Sequence, residues 1–259
     1  MNIVSSFAIK SWAMVEVETT KLRRDPTEVL TRAIQPALWM LVFGQVMART
    51  KAIHTGNLAY LDFMAPGILA QSVLFTSIFY GLSAIWEKDL GILQKYLVSP
   101  APRSALVAGK AMSAGIRGVI QSFFVYALSL CLGVHLNWNP VALLGGVLAI
   151  ILGAAFFSTF SLIIACIVKS RERFMGIGQV LTMPLFFASN AIYPIEMMPS
   201  WLKVLSQLNP LTYQVDLLRS TMIVGGPQGF PIGVDLLVLA ISTLVVVVIA
   251  SRLYPGLAQ

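Results

Sequence analysis

Residues 140–168 read PVALLGGVLAIILGAAFFSTFSLIIACIV, twenty-nine consecutive positions without one charged side chain. Crossing the hydrocarbon core of a bilayer takes about 20 mainly apolar residues in a helix, and this stretch exceeds that. The rest of the chain is built the same way. Of its 259 residues, 57% are hydrophobic and 11% are charged, with a mean hydropathy of +0.81. A soluble domain carries roughly 25% charged residues, so lipid has to cover most of the outer face. One compact membrane domain is the natural reading at this length.

Working outward, five further stretches are long and apolar enough to span. Val29–Ala48, Phe63–Ile85 and Leu106–Val134 precede it, and Met175–Pro194 and Ile232–Leu253 follow. Pro184 interrupts the fifth span in chain order, which membrane helices tolerate where neighbours satisfy the freed carbonyl. The predicted class is therefore an all-α integral membrane protein with six transmembrane helices. Lys and Arg near span ends set the orientation. One side holds Lys10, Lys21, Arg23, Arg24, Arg32, then Lys88, Lys95, Arg103, Lys110, then Lys169, Arg171 and Arg173; the other has only Arg49, Lys51, Lys203 and Arg219. Both termini are thus expected in the cytoplasm. The net charge of +7 marks loops in this way, and with no basic stripe interleaved with aromatics it does not point to nucleic acid. No continuous apolar core precedes a small-residue cleavage site in the first 25 residues, so no cleavable signal peptide is expected.

Residues 1–28 are expected to form an amphipathic helix, because Val4, Phe7, Met14, Val15 and Leu22 share roughly one face. It lies either in the cytoplasmic interface or against the loops. Residues 29–259 form the six-span domain. Two of its connections are too structured to be turns. The cytoplasmic one, 86–104, reads WEKDLGILQKYLVSPAPRS; Leu90, Leu93 and Leu97 follow helical spacing until Pro100 and Pro102 stop them. The external one, 195–231, has an apolar run around Trp201, Leu202, Val204, Leu205 and Leu208, bounded by Pro199 and Pro210. That run is too short to span and too apolar for water, so a re-entrant or interfacial helical hairpin is expected.

Sites for chemistry are scarce. Gly109-Lys110 lacks the upstream glycine and the following Ser or Thr of a phosphate loop. His54 and His135 are the only histidines and lie in separate loops, which argues against a metal site or a His-dependent triad. Cys131 and Cys166 sit in apolar runs and read as buried small hydrophobes. Asp62 and Asp235 lie near span ends, where solvation is the default. Lys110 and Arg117 are seven residues apart on one helical face; Lys110 is close enough to the edge to snorkel. Arg117 is deeper and needs the protein interior or a wet cavity. It reads either as a structural arginine or as a pathway contact. Phe75, Phe79 and Tyr80, with Met183, Phe186 and Phe187, line an apolar pathway or serve as core and lipid-facing packing. Gly109, Gly115, Gly118, Gly145, Gly146 and Gly153 allow close helix approach.

Two segments carry a resemblance. Glu87-Lys88-Asp89-Leu90-Gly91-Ile92-Leu93 with Leu97-Val98-Ser99-Pro100-Ala101-Pro102-Arg103 is similar to the cytoplasmic loop of type-2 ABC exporter permeases. Phe187 to Pro194, Met198-Pro199-Ser200-Trp201-Leu202, and Leu208 to Tyr213 with Arg219 resemble that family's later signature. The nearest pattern is the bacterial drug-resistance and nodulation-type branch, over nearly the whole chain. Gln94 departs from the acidic residue frequent there, and Asn190 from a frequent glycine. The resemblance implies ATPase coupling through Glu87, Lys88, Asp89, Gly91, Leu93, Leu97, Ser99, Pro100 and Arg103. It implies an external gate at Asn190, Pro194, Pro199, Trp201, Asn209, Pro210 and Tyr213. It also implies two such permeases, identical or closely homologous, with two separate ATP-binding subunits that hold the ATP and magnesium; no cofactor binds this chain. The implied setting is the bacterial cytoplasmic membrane and the implied activity is outward movement of a drug, natural product or lipid by alternating access. The alternatives are an ATP-independent secondary transporter and an exporter of lipid-linked polysaccharide.

Overall fold

The computed structural model describes residues 3–24, 27–56, 58–98, 102–168 and 170–258; Ser99, Pro100, Ala101 and Lys169 lie outside them. The described chain is 83% helix without a strand, apart from one antiparallel bridge, Leu136 to Ile223. Helix α1 covers Ile3–Arg24. Helix α2, Thr27–Leu38, contains Pro36 and runs through a π-helical segment, Trp39–Gly44, into α3, Gln45–Thr50. Then come α4, Tyr60–Tyr80, α5, Leu82–Asp89, α6, Ile92–Val98, and α7, Arg103–Cys131. Helices α8, Pro140–Val168, and α9, Arg171–Phe187, follow. A 3₁₀ turn at Ile195–Met197 leads into α10, Ser200–Leu208; α11, Pro210–Met222, and α12, Ile232–Leu253, complete the order before a last 3₁₀ segment, Tyr254–Ala258.

Among the described residues, four helical stretches are long and apolar enough to cross a membrane: Tyr60–Asp89, Arg103–Cys131, Pro140–Val168 and Ile232–Leu257. The expected first span is helical over Thr27–Thr50 but passes through the π segment, and the expected fifth stops at Phe187 instead of Pro194.

Helix α4 is the centre of the bundle, with 18 of its 21 residues buried. It has no polar face, since Gln71, Ser72, Thr76 and Ser77 are buried along with the apolar positions. Helices α7, α8 and α11 pack around it. Helix α12 is peripheral: Leu237, Ile241, Leu244 and Val248 point outward at helical spacing, the pattern of a lipid-facing stripe.

Helix α1 lies along α7. Met14 and Val15, on the expected apolar face, are buried there, while Ile9, Trp12 and Val17 stay exposed. The approach depends on Gly109, where a Cβ would stand 2.6 Å from Met14 Cβ and 2.8 Å from the Ser11 carbonyl. Gly109→Val is therefore expected to lift α1 from α7. Limited proteolysis should then release the N-terminal segment from a variant whose other helices remain protected.

Two expectations are corrected. Asp62 and Asp235 are buried rather than solvated, and Asp62 pairs with His135 at 2.9 Å. Cys131 lies at the surface of the last turn of α7, whereas Cys166 is buried.

Candidate functional site

The residues singled out from the sequence gather in three places along α4. At the end that carries Lys88, Lys95, Arg103 and Arg171, here the basic end, four charges are shut away from solvent. Glu18 of α1, Glu87 of α5, and Lys110 and Arg117 of α7 are each at most 7% exposed. Lys110 Nζ lies 2.8 Å from Glu87 Oε2 and 3.5 Å from Glu18 Oε1. Arg117 Nη2 lies 3.6 Å from Glu18 Oε2 and donates to the Glu18 carbonyl at 3.5 Å. The ring of Tyr80, at the end of α4, takes both cations on its π system, Arg117 Cζ at 4.8 Å and Lys110 Nζ at 5.6 Å from the centroid. Each carboxylate thus faces a cation, the pairing that a low-dielectric interior favours. Lys110 therefore does not snorkel. Its engagement inside α7 also leaves the only Gly-Lys pair unable to cradle a phosphate.

Below this cluster α5 and α6 form a projecting knob. Gly91 sits in the left-handed turn between them, at φ 69°, a conformation that favours glycine. Leu93 is fully buried with Leu106, Val107, Leu162 and Tyr254 and fixes α6 to the bundle. Asp89 receives Arg171 Nε at 2.7 Å and Nη2 at 2.6 Å, and the same guanidinium lies 4.4 Å over the Trp86 ring, tying the knob to the start of α9. The outward surface comprises Trp86, Leu90, Gln94, Lys95, Val98 and Arg103, with Leu90 66% and Val98 87% exposed. Lys88 is half-buried and Leu97 falls in α6. Glu87, expected to couple to the ATPase, turns inward, where its carboxylate is the nearest partner of Lys110.

Beside the cluster, α2 and the last turns of α4 enclose a groove of about 350 Å³ lined by Arg32, Gln35, Ser72, Phe75, Thr76, Phe79 and Leu82. Arg32 donates to the Thr76 carbonyl at 3.2 Å. Of the six expected pathway residues, Phe75 and Phe79 face this groove. Tyr80 and Arg117 belong to the ionic cluster, Phe186 packs in the core against Trp39, and Phe187 is at the surface.

At the opposite end the chain turns after α9 and returns through α10 and α11, about 14 and 20 Å long at 1.5 Å per residue. Asn209 builds the corner: its Oδ1 accepts from Leu211 N, capping α11 with Pro210 in the first turn, and its Nδ2 donates to the Leu185 carbonyl at 2.7 Å. Tyr213 donates to the Gln207 carbonyl, Pro199 starts α10, and Trp201 stands on its exposed apolar face with Val204, Leu205 and Leu208. Helix α11 is largely buried. Its Arg219 donates to the carbonyls of Asn190 at 2.6 Å and Phe63 at 3.3 Å, clamping the turn after α9 to α4. Asn190 and Pro194 line a cavity beside this clamp.

Residues 10–223 match the ABC-2 type transporter family. The chain belongs to that family. Among relatives of this ABC-2 permease, a putative transport permease ycf38 of Cyanophora paradoxa is 30% identical over 84% of the present chain and 76% of its own. A daunorubicin resistance ABC transporter permease protein, DrrB1, of Streptomyces coeruleorubidus is 25% identical over 88% and 80%. The inner membrane transport permease YadH of Escherichia coli K12 is 27% identical over 72% of each chain. The ABC-2 permease is thus a membrane transport protein and not an enzyme.

Sequence reasoning missed Glu18 and Tyr254. A signal for Glu18 was present: it falls four residues after Met14 and four before Leu22, a charge on the face expected to be apolar. Two cations without assigned partners, Lys110 and Arg117, were waiting for it. Nothing in the local sequence marks Tyr254, whose burial comes from tertiary packing.

Proposed function

We propose that this ABC-2 permease is the transmembrane subunit of an ATP-driven exporter, moving an amphipathic or hydrophobic molecule outward by alternating access. ATP and magnesium bind a separate subunit, two of which dock on a pair of permeases, each on the α5–α6 knob of one copy. The basic end then faces the cytoplasm with both termini, in the inner membrane of a bacterium. Helices α2–α3 and α9 complete six spans, and α10–α11 form the outer hairpin. The Escherichia coli relative, named an inner membrane permease, and the Streptomyces relative, named for drug resistance, support this setting and cargo class.

The single observation that carries the reading is the exposed apolar knob joined rigidly to the bundle. A push on Leu90 and Val98 reaches α7 through Glu87 and Lys110, α1 through Glu18, and α9 through Asp89 and Arg171. Helix α5 continues α4 through Gly81, so the same push bears on the helix that carries Phe75 and Phe79. The groove between α2 and α4 is the segment of pathway that such movement would open and close, and a second copy of the chain would complete it.

Transport in inverted membrane vesicles tests this. An amphipathic fluorescent dye should accumulate in an ATP-dependent, vanadate-sensitive way when permease and ATPase are co-expressed. Phe75→Ala with Phe79→Ala is expected to lower uptake about tenfold while ATP hydrolysis persists, because only cargo contacts are lost. Uptake that ignores ATP and follows an ion gradient would identify a secondary transporter instead.

A further inference from the structure

The surface between α7 and α8 holds a groove that export does not call on. The two helices run antiparallel and meet closely where glycine allows it. A Cβ at Gly115 would stand 3.2 Å from Ile151, and one at Gly118 would stand 3.0 Å from Ile150. Past this contact, away from the basic end, α7 carries Phe123, Tyr126 and Leu130 in place of glycine. Between these side chains and Leu143 and Val147 of α8 lies a groove of about 400 Å³.

The lining selects for hydrocarbon. None of its residues is charged. Ser122 spends its hydroxyl on the Val119 carbonyl of its own helix at 2.7 Å, which leaves the Tyr126 hydroxyl and the Trp138 indole as the other polar side-chain tips. Water does not settle in a cavity of this composition. The direction of the groove selects for a chain. It follows α7 from Val119 to Leu130, about 17 Å at 1.5 Å per residue, within two helices long and apolar enough to span. A volume of about 400 Å³ over that length leaves a mean cross-section of about 24 Å². A helix, 10–12 Å across with its side chains, is far too wide for it. The outer mouth is marked by Trp138, which is 58% exposed and flanked by Asn137 and Asn139; tryptophan favours the level of the lipid head groups. The exposed stripe of α12 offers a lipid chain one convex face. Here Phe123 and Leu130 flank it on one side and Val147 on the other, with buried Ile150 at the deep end.

We propose that this groove seats one acyl chain of an outer-leaflet phospholipid, with its ester end at Trp138 and its methyl end toward Val119 and Ile150. The choice of leaflet rests on the orientation proposed above; the preference for a hydrocarbon chain does not. With no charge in the lining, the head group contributes nothing to selection. The seated chain fills the space between α7 and α8 on the outer side of their glycine contact, so it is a resident part of the bundle surface and not cargo in transit.

The test is photolabelling of the full chain in nanodiscs without ATP, by a phosphatidylcholine with a diazirine midway along one acyl chain. Label is expected on residues 119–130 or 143–150 at least fivefold above that on 237–248 of α12, an exposed apolar stripe with no groove. Ala127→Phe, at an exposed position in the groove, fills it and should cut the label there at least fivefold. Label on α12 should stay as it was, which shows that the variant is folded. Leu244→Phe on α12 should leave the groove label unchanged, and the same chain on phosphatidylglycerol should label equally. Equal label on groove and α12, or indifference to Ala127→Phe, would overturn the proposal in favour of ordinary bulk lipid. Displacement of the label by the amphipathic dye of the transport assay would overturn it in favour of a cargo exit site. Efficient cross-linking between two chains through Phe123→Cys, in a Cys131→Ser background, would overturn it in favour of a second copy of the chain. Because the readout involves no turnover, failure of ATP-dependent export would remove the transport reading and leave this site standing.

Discussion

Lys110→Met destabilises the permease more than any other single side-chain truncation in the basic half of the bundle. The change takes from Glu18 and Glu87 the cation they share in the buried cluster, and removing one partner of a buried ion pair is unfavourable by about 3–5 kcal/mol. For a chain of this size that corresponds to roughly 10 °C in melting temperature, read by thermal aggregation in detergent. Lys110→Met combined with Glu87→Gln should recover a large part of the loss, because the uncompensated charge is gone. A non-additive cycle of this kind separates the ion pair from simple packing at Lys110. Additive losses would mean that the two side chains do not act on one another.

Loss of the apolar tip should have the opposite signature, an intact chain that cannot engage its motor. Leu90→Asp with Val98→Asp changes two outward side chains that make no contribution to the buried core, so yield and melting temperature should stay within the range of surface substitutions. Taking about 2 kcal/mol for the two apolar contacts together, binding of the ATP-hydrolysing subunit should weaken about thirtyfold. Co-purification and stimulated ATP hydrolysis would fall together. Charge reversal at Glu87 cannot serve this purpose, since it would break the internal cluster and unfold the region it was meant to probe.

The difference between those two experiments shows what the sequence could and could not carry. Long apolar runs state their own case, and Ile232–Leu253 was placed to the residue because solvation by lipid is a local property. The short helices α6 and α10 were also readable, since prolines at 100, 102, 199 and 210 and short helical periodicities are local signals. Pairing was not. Glu87 reads as a surface acid in a charged cluster, and only the third dimension shows that it turns inward to Lys110. Arg117 offered a choice between structure and pathway, and its partner Glu18 comes from 99 positions away in the chain, beyond the reach of local sequence. Phe186 and Phe187 are neighbours in sequence with opposite exposures, because successive side chains on α9 point about 100° apart. The cavity beside Arg219 draws its walls from segments spread between residues 54 and 229 and has no sequence signature at all.

The most direct test of the proposed function is affinity purification of the chain from its native membrane, with identification of whatever co-elutes and an ATP hydrolysis assay on the complex. The expected result is a stoichiometric soluble subunit that carries a phosphate loop and hydrolyses ATP in a vanadate-sensitive manner, and that is lost from the Leu90→Asp, Val98→Asp variant. A chain that purifies without such a subunit, and moves solute in liposomes without ATP, would contradict the exporter reading.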